Sequence, residues 1–222
     1  SDQNEELTKS SDNLIALLTP ILKSFATDKS IEITNQALQI YGGHGYITDH
    51  GMEQLVRDAR ITPIYEGTNG IQALDLIGRK FNIHNGLIIN QYLNEINKFL
   101  EDNKDNKKLH KFIKLFNPSH NDLKESIKFI KEIPSNNTQE INSHAVDLLN
   151  LFALVAVGFT WLEFIHVSIA KNEDQDDDFY LAKIQLGEFY LTKVILETQK
   201  FKNNIISSGI LYNEFHIICQ RG

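Results

Sequence analysis

The pattern of apolar residues in the first part of the chain predicts one long helix. Between residues 14 and 41, apolar side chains recur at spacings of three and four, which places them on one helical face. Pro20 marks either the start of this helix or a kink in it, because proline has no N–H to donate to the preceding turn. Gly42 and Gly43 are predicted to end the helix, since glycine is a frequent C-terminal cap.

A loop and a short helix are predicted next. The glycine-rich stretch over 44–48 favours an irregular loop. The following residues, 51–59, have a helical pattern in which Leu55 and Val56 face inward.

A turn and a second short helix complete this part of the chain. Pro63 disfavours a helical conformation for the residue before it, so we expect 61–67 to be non-helical. Thr68 or Asn69 then offers a side-chain oxygen that can cap a new helix, which continues to Lys80.

After residue 80 the composition changes, and the pattern predicts a bundle of long helices. Asn and Lys become frequent and glycines become rare, which predicts one domain over 1–80 and another over 81–222. A four-helix arrangement between about 85 and 208 is the economical packing for these lengths. The predicted helical stretches that make up this arrangement span 87–100, 109–116, 123–133, 138–171 and 179–206, with turns at 117–119 and 134–137 and an end at Ser208 and Gly209.

Composition adds one unusual feature and several exclusions. Seven of the 12 glycines lie within 37 residues, which indicates a need for close backbone approach or unusual dihedral angles there. They are Gly42, Gly43, Gly45, Gly51, Gly67, Gly70 and Gly78.

The net charge of −7 gives no global basic surface for nucleic acid. Cys219 is the single cysteine, which excludes a disulfide framework, and no residues have the spacing of metal ligands. No apolar run reaches about 18 residues, so no transmembrane segment is expected.

Two places in the glycine-rich window are candidates for chemistry. Gly42, Gly43 and Gly45 expose backbone amides without side chains and suit a phosphate group, although the glycines alone favour a plain helix cap and turn. Glu66 follows Ile64 on irregular backbone, where apolar neighbours would raise the pKa of its carboxyl group and make it a usable base. A solvent-exposed glutamate near a helix N-terminus is the alternative.

Three motifs in order and spacing resemble a known family. They are Gln-Ile-Tyr-Gly-Gly-His-Gly-Tyr from Gln39, Arg-Asp-Ala-Arg from Arg57, and Tyr-Glu-Gly-Thr-Asn-Gly-Ile-Gln from Tyr65. Together they resemble the C-terminal helical domain of the acyl-CoA dehydrogenase family, and most of all its larger bacterial subfamily, which includes the 3-methylmercaptopropionyl-CoA dehydrogenases. The resemblance implies an all-α fold: the end of that domain, followed by an additional up-down helical bundle.

The resemblance also implies roles for individual residues. Glu66 would be the catalytic base that removes the α-proton of an acyl-CoA thioester while the β-hydrogen leaves as hydride to the flavin. The amide of Glu66 would polarise the thioester carbonyl, and Gly67 would lie beside the substrate. Arg57 and Asp58 match a pair that we interpret as a local ion pair. Residues expected at FAD are Thr68, Asn69 and Gly70 at the flavin, and Gln39, Ile40, Tyr41, Gly42 and Gly43 at the FAD of a neighbouring subunit.

The expected partners follow from the same resemblance. They are an acyl-CoA substrate, FAD, an electron-transfer flavoprotein or similar acceptor, and further copies of the chain in a homodimer or homotetramer, in the bacterial cytoplasm. No run of alternating residues predicts the family's β domain, so we expect a C-terminal fragment of a longer enzyme. Such a fragment would neither hold FAD tightly nor turn over acyl-CoA.

A non-catalytic helical interaction or oligomerisation module is the alternative. The intact Tyr-Glu-Gly-Thr motif argues against lost catalysis, and the negative charge argues against binding to DNA. Within 81–222 the interaction hypothesis is the better one, because long apolar helices without a polar site suit subunit contact or a cover over the active site.

Overall fold

The computed structural model describes residues 2–81, 86–175 and 177–207. The described residues form helices and turns and contain no strand, which confirms the predicted all-α class. The chain divides into two compact units between residues 85 and 86, which we call unit 1 and unit 2. The predicted helix end at Ser208 and Gly209, and Cys219, lie outside the described residues.

Unit 1 is built on one 40-residue helix. This helix, α1, ends at Tyr41 as predicted, and Pro20 lies inside it rather than at its start. Its buried face includes Leu17 and Ile21, and both α2 and α3 pack against it. The elements are α1 (Asp2–Tyr41), 3₁₀ turns at Gly42–Tyr46 and Thr48–His50, α2 (Met52–Ile61), and α3 (Asn69–Leu74), which continues as a π-helical turn over Asp75–Lys80.

The predicted inward face of α2 was wrong for Leu55, whereas Val56 is half-buried on the same face as Met52 and Ala59. Met52 and Ala59 are buried, whereas Leu55 is 54% exposed. Gly51 precedes the helix in a left-handed conformation with φ of 69°, and Met52 and Ala59 lie seven residues apart, two helical turns, on one face. The irregular loop predicted over 44–48 is also more regular than expected, since 3₁₀ turns occupy most of it.

Unit 2 contains four long helical segments. They are α4 (Leu87–Asp102), α5 (His110–Glu132), α7 (Ala145–Gln175) and a last segment that starts as α8 (Asp178–Phe189). A short helix, α6 (Thr138–Ser143), precedes α7. After α8 the chain passes through a π-helical turn at Tyr190–Val194 and a 3₁₀ turn at Ile195–Glu197, and is helical again over 198–207.

Side-chain contacts show that these segments alternate in direction. Tyr92 and Phe99 of α4 contact Phe152 and Phe159 of α7 in the same order, so α4 and α7 run parallel. Two aromatic contacts of α5 with α7, Phe116 with Phe159 and Phe129 with His144, occur in opposite order and make that pair antiparallel. The last segment is antiparallel to α7, because Tyr190 bonds Leu154 and Asn204 bonds Asp147. The predicted up-down bundle is therefore confirmed.

Two helix boundaries in unit 2 differ from the prediction. A turn was predicted at 117–119, but α5 continues through Pro118. Phe116 and Leu123, on either side of it, are fully buried, so packing maintains the helix despite the lost proline hydrogen bond. The helix predicted over 138–171 is instead interrupted at His144, which separates α6 from α7.

Helix α7 is the core of unit 2. It is the one helix among the described residues that is long and apolar enough to cross a membrane by length and composition. In its most apolar window, 67% of the residues are buried within the fold, which is typical of a core helix. Gly158 and Gly187 allow close packing here: a Cβ on Gly187 would lie 2.6 Å from Ile165 Cδ1.

His120 is a buried titratable group in unit 2. The side chain is 2% exposed and stacks on Phe116, with ring centroids 5.9 Å apart. Its Nε2 lies 2.9 Å from Asn97 Oδ1, while no hydrogen-bond partner reaches Nδ1. Burial, and to a smaller extent the charge of Lys124, lowers the pKa of His120 to about 4. The imidazole is therefore neutral in the folded protein at neutral pH.

Acid should destabilise unit 2 through His120. Between about pH 6.5 and pH 4 the unfolded chain binds a proton at this histidine and the folded chain does not, so the free energy of unfolding falls as pH falls. The loss amounts to about 3 kcal/mol at most and is complete near pH 4. Urea denaturation at a series of pH values measures it.

Replacement of the imidazole should flatten this pH dependence. His120→Gln keeps a donor for Asn97 but cannot titrate, whereas His110→Gln alters an exposed histidine on the same helix and serves as the control. A His120→Gln variant that loses as much stability as the wild type between pH 6.5 and 4 would contradict the assignment.

Candidate active site

Glu66 lies in a tight turn between α2 and α3. The Ile64 N–H donates to Ile61 O at 2.9 Å, and the Asn69 N–H closes the turn on Pro63 O at 3.2 Å. The segment predicted to be non-helical forms a turn from Thr62 onwards, with Pro63 as a backbone acceptor inside it. The expected effect of Pro63 on the residue before it was wrong, because Ile61 still belongs to α2 and Thr62 keeps helical dihedral angles, with φ of −62° and ψ of −36°.

The backbone at Glu66 is strained. Its φ is 57°, the one positive value at a non-glycine residue in the described part of the chain, and Gly67 follows with φ of 81°. A residue with a Cβ pays about 1–2 kcal/mol in this left-handed region. Strain of this kind concentrates at functional sites, so the turn is a candidate site on its geometry alone.

The Glu66 carboxylate lies at the surface of unit 1. Glu66 itself is exposed, and its neighbours Ile64 and Tyr65 are 47% and 48% exposed. The apolar enclosure predicted from the sequence is therefore absent among the described residues. The Glu66 N–H has no acceptor within the described chain and is available to a ligand.

Asn69 attaches this turn to α1. Its Oδ1 accepts a hydrogen bond from Lys23 Nζ at 2.9 Å, and its Nδ2 donates to Asp28 Oδ1 at 2.7 Å and to Thr27 Oγ1 at 3.0 Å. Lys23 also donates to Gly67 O at 2.8 Å, and Gln72 Nε2 donates to Glu66 O at 2.9 Å. The two consecutive carbonyl groups of the strained turn are thus each bonded by a side chain.

The remaining residues predicted around the turn have identifiable local roles. Thr68, one of the two residues predicted to cap α3, does so: its hydroxyl accepts a hydrogen bond from the Ile71 N–H at 3.4 Å. Gly70 is exposed in the first turn of α3. The contacts predicted for Thr68, Asn69 and Gly70 with a flavin stay predictions, and the Asn69 carboxamide is already bonded to α1.

The second predicted segment lies at the C-terminal end of α1. Gln39, Ile40 and Tyr41 are exposed in its last turn, and Ile40 is 86% exposed. No hydrogen bond or ring contact among the described residues joins this segment to the Glu66 turn.

The three glycines of that segment differ in whether backbone conformation or packing requires a glycine at the position. Gly42 has φ of 60°, which favours glycine whatever its surroundings. A Cβ on Gly43 would meet no atom within 4 Å, so the chain leaves open backbone there that fits close approach by a diphosphate. A Cβ on Gly45 would lie 2.9 Å from Leu38 O, so packing excludes a side chain.

The predicted ion pair between Arg57 and Asp58 was wrong, because Arg57 pairs with a different carboxylate. Arg57 Nε bonds Glu53 Oε2 at 2.7 Å, one turn earlier in α2, and this contact raises the pKa of Arg57 and lowers that of Glu53. The pair is a surface contact within one helix and does not reach the Glu66 turn. Lys23 is not among the predicted site residues, because its partners in the turn lie 44 and 46 residues away in the sequence.

Comparison with known proteins identifies the family. Residues 7–81 match the family described as "Acyl-CoA dehydrogenase, C-terminal domain", and residues 92–209 match "Acetyl-CoA dehydrogenase C-terminal like". The chain belongs to the acyl-CoA dehydrogenase family. The first match contains the Glu66 turn and the glycine segment, and the second covers most of unit 2.

Relatives in the acyl-CoA dehydrogenase family match the chain over part of their length. A 3-methylmercaptopropionyl-CoA dehydrogenase of Ruegeria pomeroyi is 46% identical over 76 residues, 34% of this chain and 13% of that protein. A butyryl-CoA dehydrogenase of Syntrophomonas wolfei is 26% identical over 189 residues, 83% of this chain and 31% of that protein. The chain thus spans at most about a third of the length of these relatives.

The fold has a solved counterpart. The crystal structure of an acyl-CoA dehydrogenase complexed with FAD from Bacillus anthracis superimposes with a TM-score of 0.65 at 15% identity, over 84% of this chain and 32% of that one. At this identity the similarity shows a shared fold.

Removal of the side chain at position 66 should stabilise unit 1. Glu66→Gly relieves about 1–2 kcal/mol of left-handed strain and loses about 0.5–1 kcal/mol to the greater freedom of glycine in the unfolded chain. We expect a net gain of about 0.5–1 kcal/mol in the free energy of unfolding, measured by urea denaturation with circular dichroism. Glu66→Gln keeps the Cβ and the strain and is the control; a Glu66→Gly variant less stable than Glu66→Gln would refute the strain.

Proposed function

We propose that this chain is the C-terminal part of an FAD-dependent acyl-CoA dehydrogenase and that Glu66 is its general base. One observation carries the proposal: a glutamate sits in a strained turn, bonded to α1 and α3, within the segment that matches the C-terminal domain of the family. Relatives named as dehydrogenases of 3-methylmercaptopropionyl-CoA and butyryl-CoA support an acyl-CoA thioester as the substrate class.

The groups of the turn suit the removal of an α-proton. In the proposed reaction the Glu66 carboxylate accepts the proton from the α-carbon, and the electron pair of that C–H bond forms the α,β-double bond. The Glu66 N–H, which has no acceptor within the described chain, donates to the thioester oxygen and stabilises the negative charge that develops there. Bound FAD supplies the acceptor for the hydride that leaves the β-carbon.

The end of α1 is the proposed contact with FAD. Gly42 and Gly43 present exposed backbone without a side chain, and Gln39, Ile40 and Tyr41 are exposed beside them. Exposed apolar side chains at this position suit contact with a second subunit, in a homodimer or homotetramer. An electron-transfer flavoprotein or similar acceptor would reoxidise the flavin, and the bacterial cytoplasm is the proposed location.

Unit 2 has a separate proposed role in subunit contact or as a cover. Large apolar side chains remain exposed on its last two long segments, among them Phe164, Phe179 and Phe189, each at 50% or more. If the whole chain were a non-catalytic interaction module, the alternative derived from the sequence, Glu66 would be dispensable.

The decisive experiment replaces the base. In the full-length enzyme, Glu66→Gln should lower kcat for acyl-CoA oxidation by ~100-fold or more, because the amide cannot accept the α-proton, while flavin content stays unchanged. Steady-state assays with an artificial electron acceptor measure kcat. Glu32→Gln, which replaces an exposed carboxylate on α1, is the control and should behave as the wild type. Wild-type activity in Glu66→Gln would exclude Glu66 as the base and favour the interaction module.

The 222-residue chain alone should not retain flavin. Its proposed contacts with FAD are surface backbone at the end of α1 and one exposed turn, which bury little of a ligand of this size. The chain purified in excess FAD should lose the flavin absorbance bands on gel filtration. A stoichiometric yellow complex would show that these residues suffice for binding.

A further inference from the structure

Lys23 has an unusual set of partners for a lysine on a helix surface. Its ammonium group lies 2.8 Å from Gly67 O and 2.9 Å from Asn69 Oδ1. Among the described residues, no carboxylate lies within ion-pair distance of it. Lys29, which follows six residues later on α1, shows the ordinary arrangement, since its Nζ binds Glu32 Oε2 at 2.6 Å. The charge of Lys23 is thus directed at the turn that carries Glu66.

One acceptor of Lys23, the Gly67 carbonyl, belongs to the strained part of the turn, and the other, Asn69, follows that part in the sequence. Glu66 and Gly67 both have positive φ, and the carbonyl group of each accepts a hydrogen bond from a side chain. Gln72 of α3 bonds the first carbonyl and Lys23 of α1 bonds the second. A hydrogen bond from a charged donor is stronger than one from a neutral donor, so the Lys23 contact is the stronger of the two.

The position of the ammonium group is itself fixed. Asn69, which accepts its second hydrogen bond, donates to Thr27 and Asp28 on the same face of α1. Thr27 Oγ1 in turn lies 2.7 Å from the backbone carbonyl of Lys23. The Lys23 side chain is half-buried among these groups, so its contact with Gly67 belongs to a closed network and not to a mobile surface chain.

We propose that Lys23 is a positioning residue for the general base: by bonding the Gly67 carbonyl it keeps the Glu66 turn left-handed and its carboxylate in the orientation that reaches the α-carbon. This inference rests on the proposed role of Glu66. Lys23 touches no reacting atom and acts through the backbone of the turn. Without it, Glu66 relaxes towards the ordinary negative-φ region and its carboxylate moves away from the substrate.

The test compares three variants of the full-length enzyme. Lys23→Met removes the donor and keeps the length of the side chain, and it should lower kcat by ~10- to 100-fold with KM changed less than about threefold, since a misplaced base slows the chemical step and not substrate binding. Lys23→Arg, which can donate to both oxygens, should recover most of kcat. Lys29→Met removes a lysine of the same helix that does not reach the turn, and should match the wild type.

A second measurement on the 222-residue chain separates this proposal from the proposed function. Hydrogen exchange of the Asn69 amide, which bonds Pro63 O and closes the turn, should be ~10-fold or more faster in Lys23→Met and unchanged in Lys29→Met. If Glu66→Gln retains activity, the proposed function fails, while the exchange experiment still reports whether Lys23 fixes the turn.

Several outcomes would overturn the role of Lys23. Wild-type kcat in Lys23→Met would show that the base is positioned without it. A loss of kcat with loss of flavin, or one that arginine does not restore, would indicate a general effect on folding. Unchanged exchange at Asn69 would show that the ammonium group does not stabilise the turn.

Discussion

The hydrogen bonds of the Asn69 carboxamide determine where the Glu66 turn sits in unit 1. This one side chain bonds to a single face of α1, at residues Lys23, Thr27 and Asp28. Asn69 is also the first residue of α3, so the same residue starts a helix and attaches it to another. Apolar packing contributes little here, because Ile64 and Tyr65 are about half exposed. Directional polar bonds are therefore what sets the geometry of the turn.

Features that depend on local chemistry could be predicted from the sequence. The end of α1 at Gly42 and the cap of α3 by Thr68 follow from the dihedral freedom of glycine and from the reach of a threonine hydroxyl. The all-α class and the up-down bundle follow from apolar periodicity and helix length. The order and spacing of three motifs were enough to recognise the family, because motifs of this length rarely occur together by chance.

Features that depend on distant partners could not be predicted. Nothing in the neighbours of Glu66 indicates a positive φ, which the bonds of Lys23 and Gln72 to two successive carbonyls maintain. Pro118 marks a turn by local rules, yet the buried residues on either side keep α5 continuous. The apolar surroundings predicted for Glu66 also depend on distant contacts, and within unit 1 its side chain is exposed. In each case tertiary contacts outweigh the local preference.

The close contact at Gly187 has a consequence for how mutational data on this family would be interpreted. A Cβ there would lie 2.6 Å from Ile165 Cδ1 and 3.2 Å from Trp161 Cε3, so nearly any replacement forces two large side chains of α7 to move. A random-substitution screen scored on cell growth would mark Gly187 as intolerant, as it would the proposed base. Intolerance at position 187 would reflect the abundance of folded protein, whereas intolerance at position 66 would reflect turnover. Only a parallel measurement of protein amount separates the two.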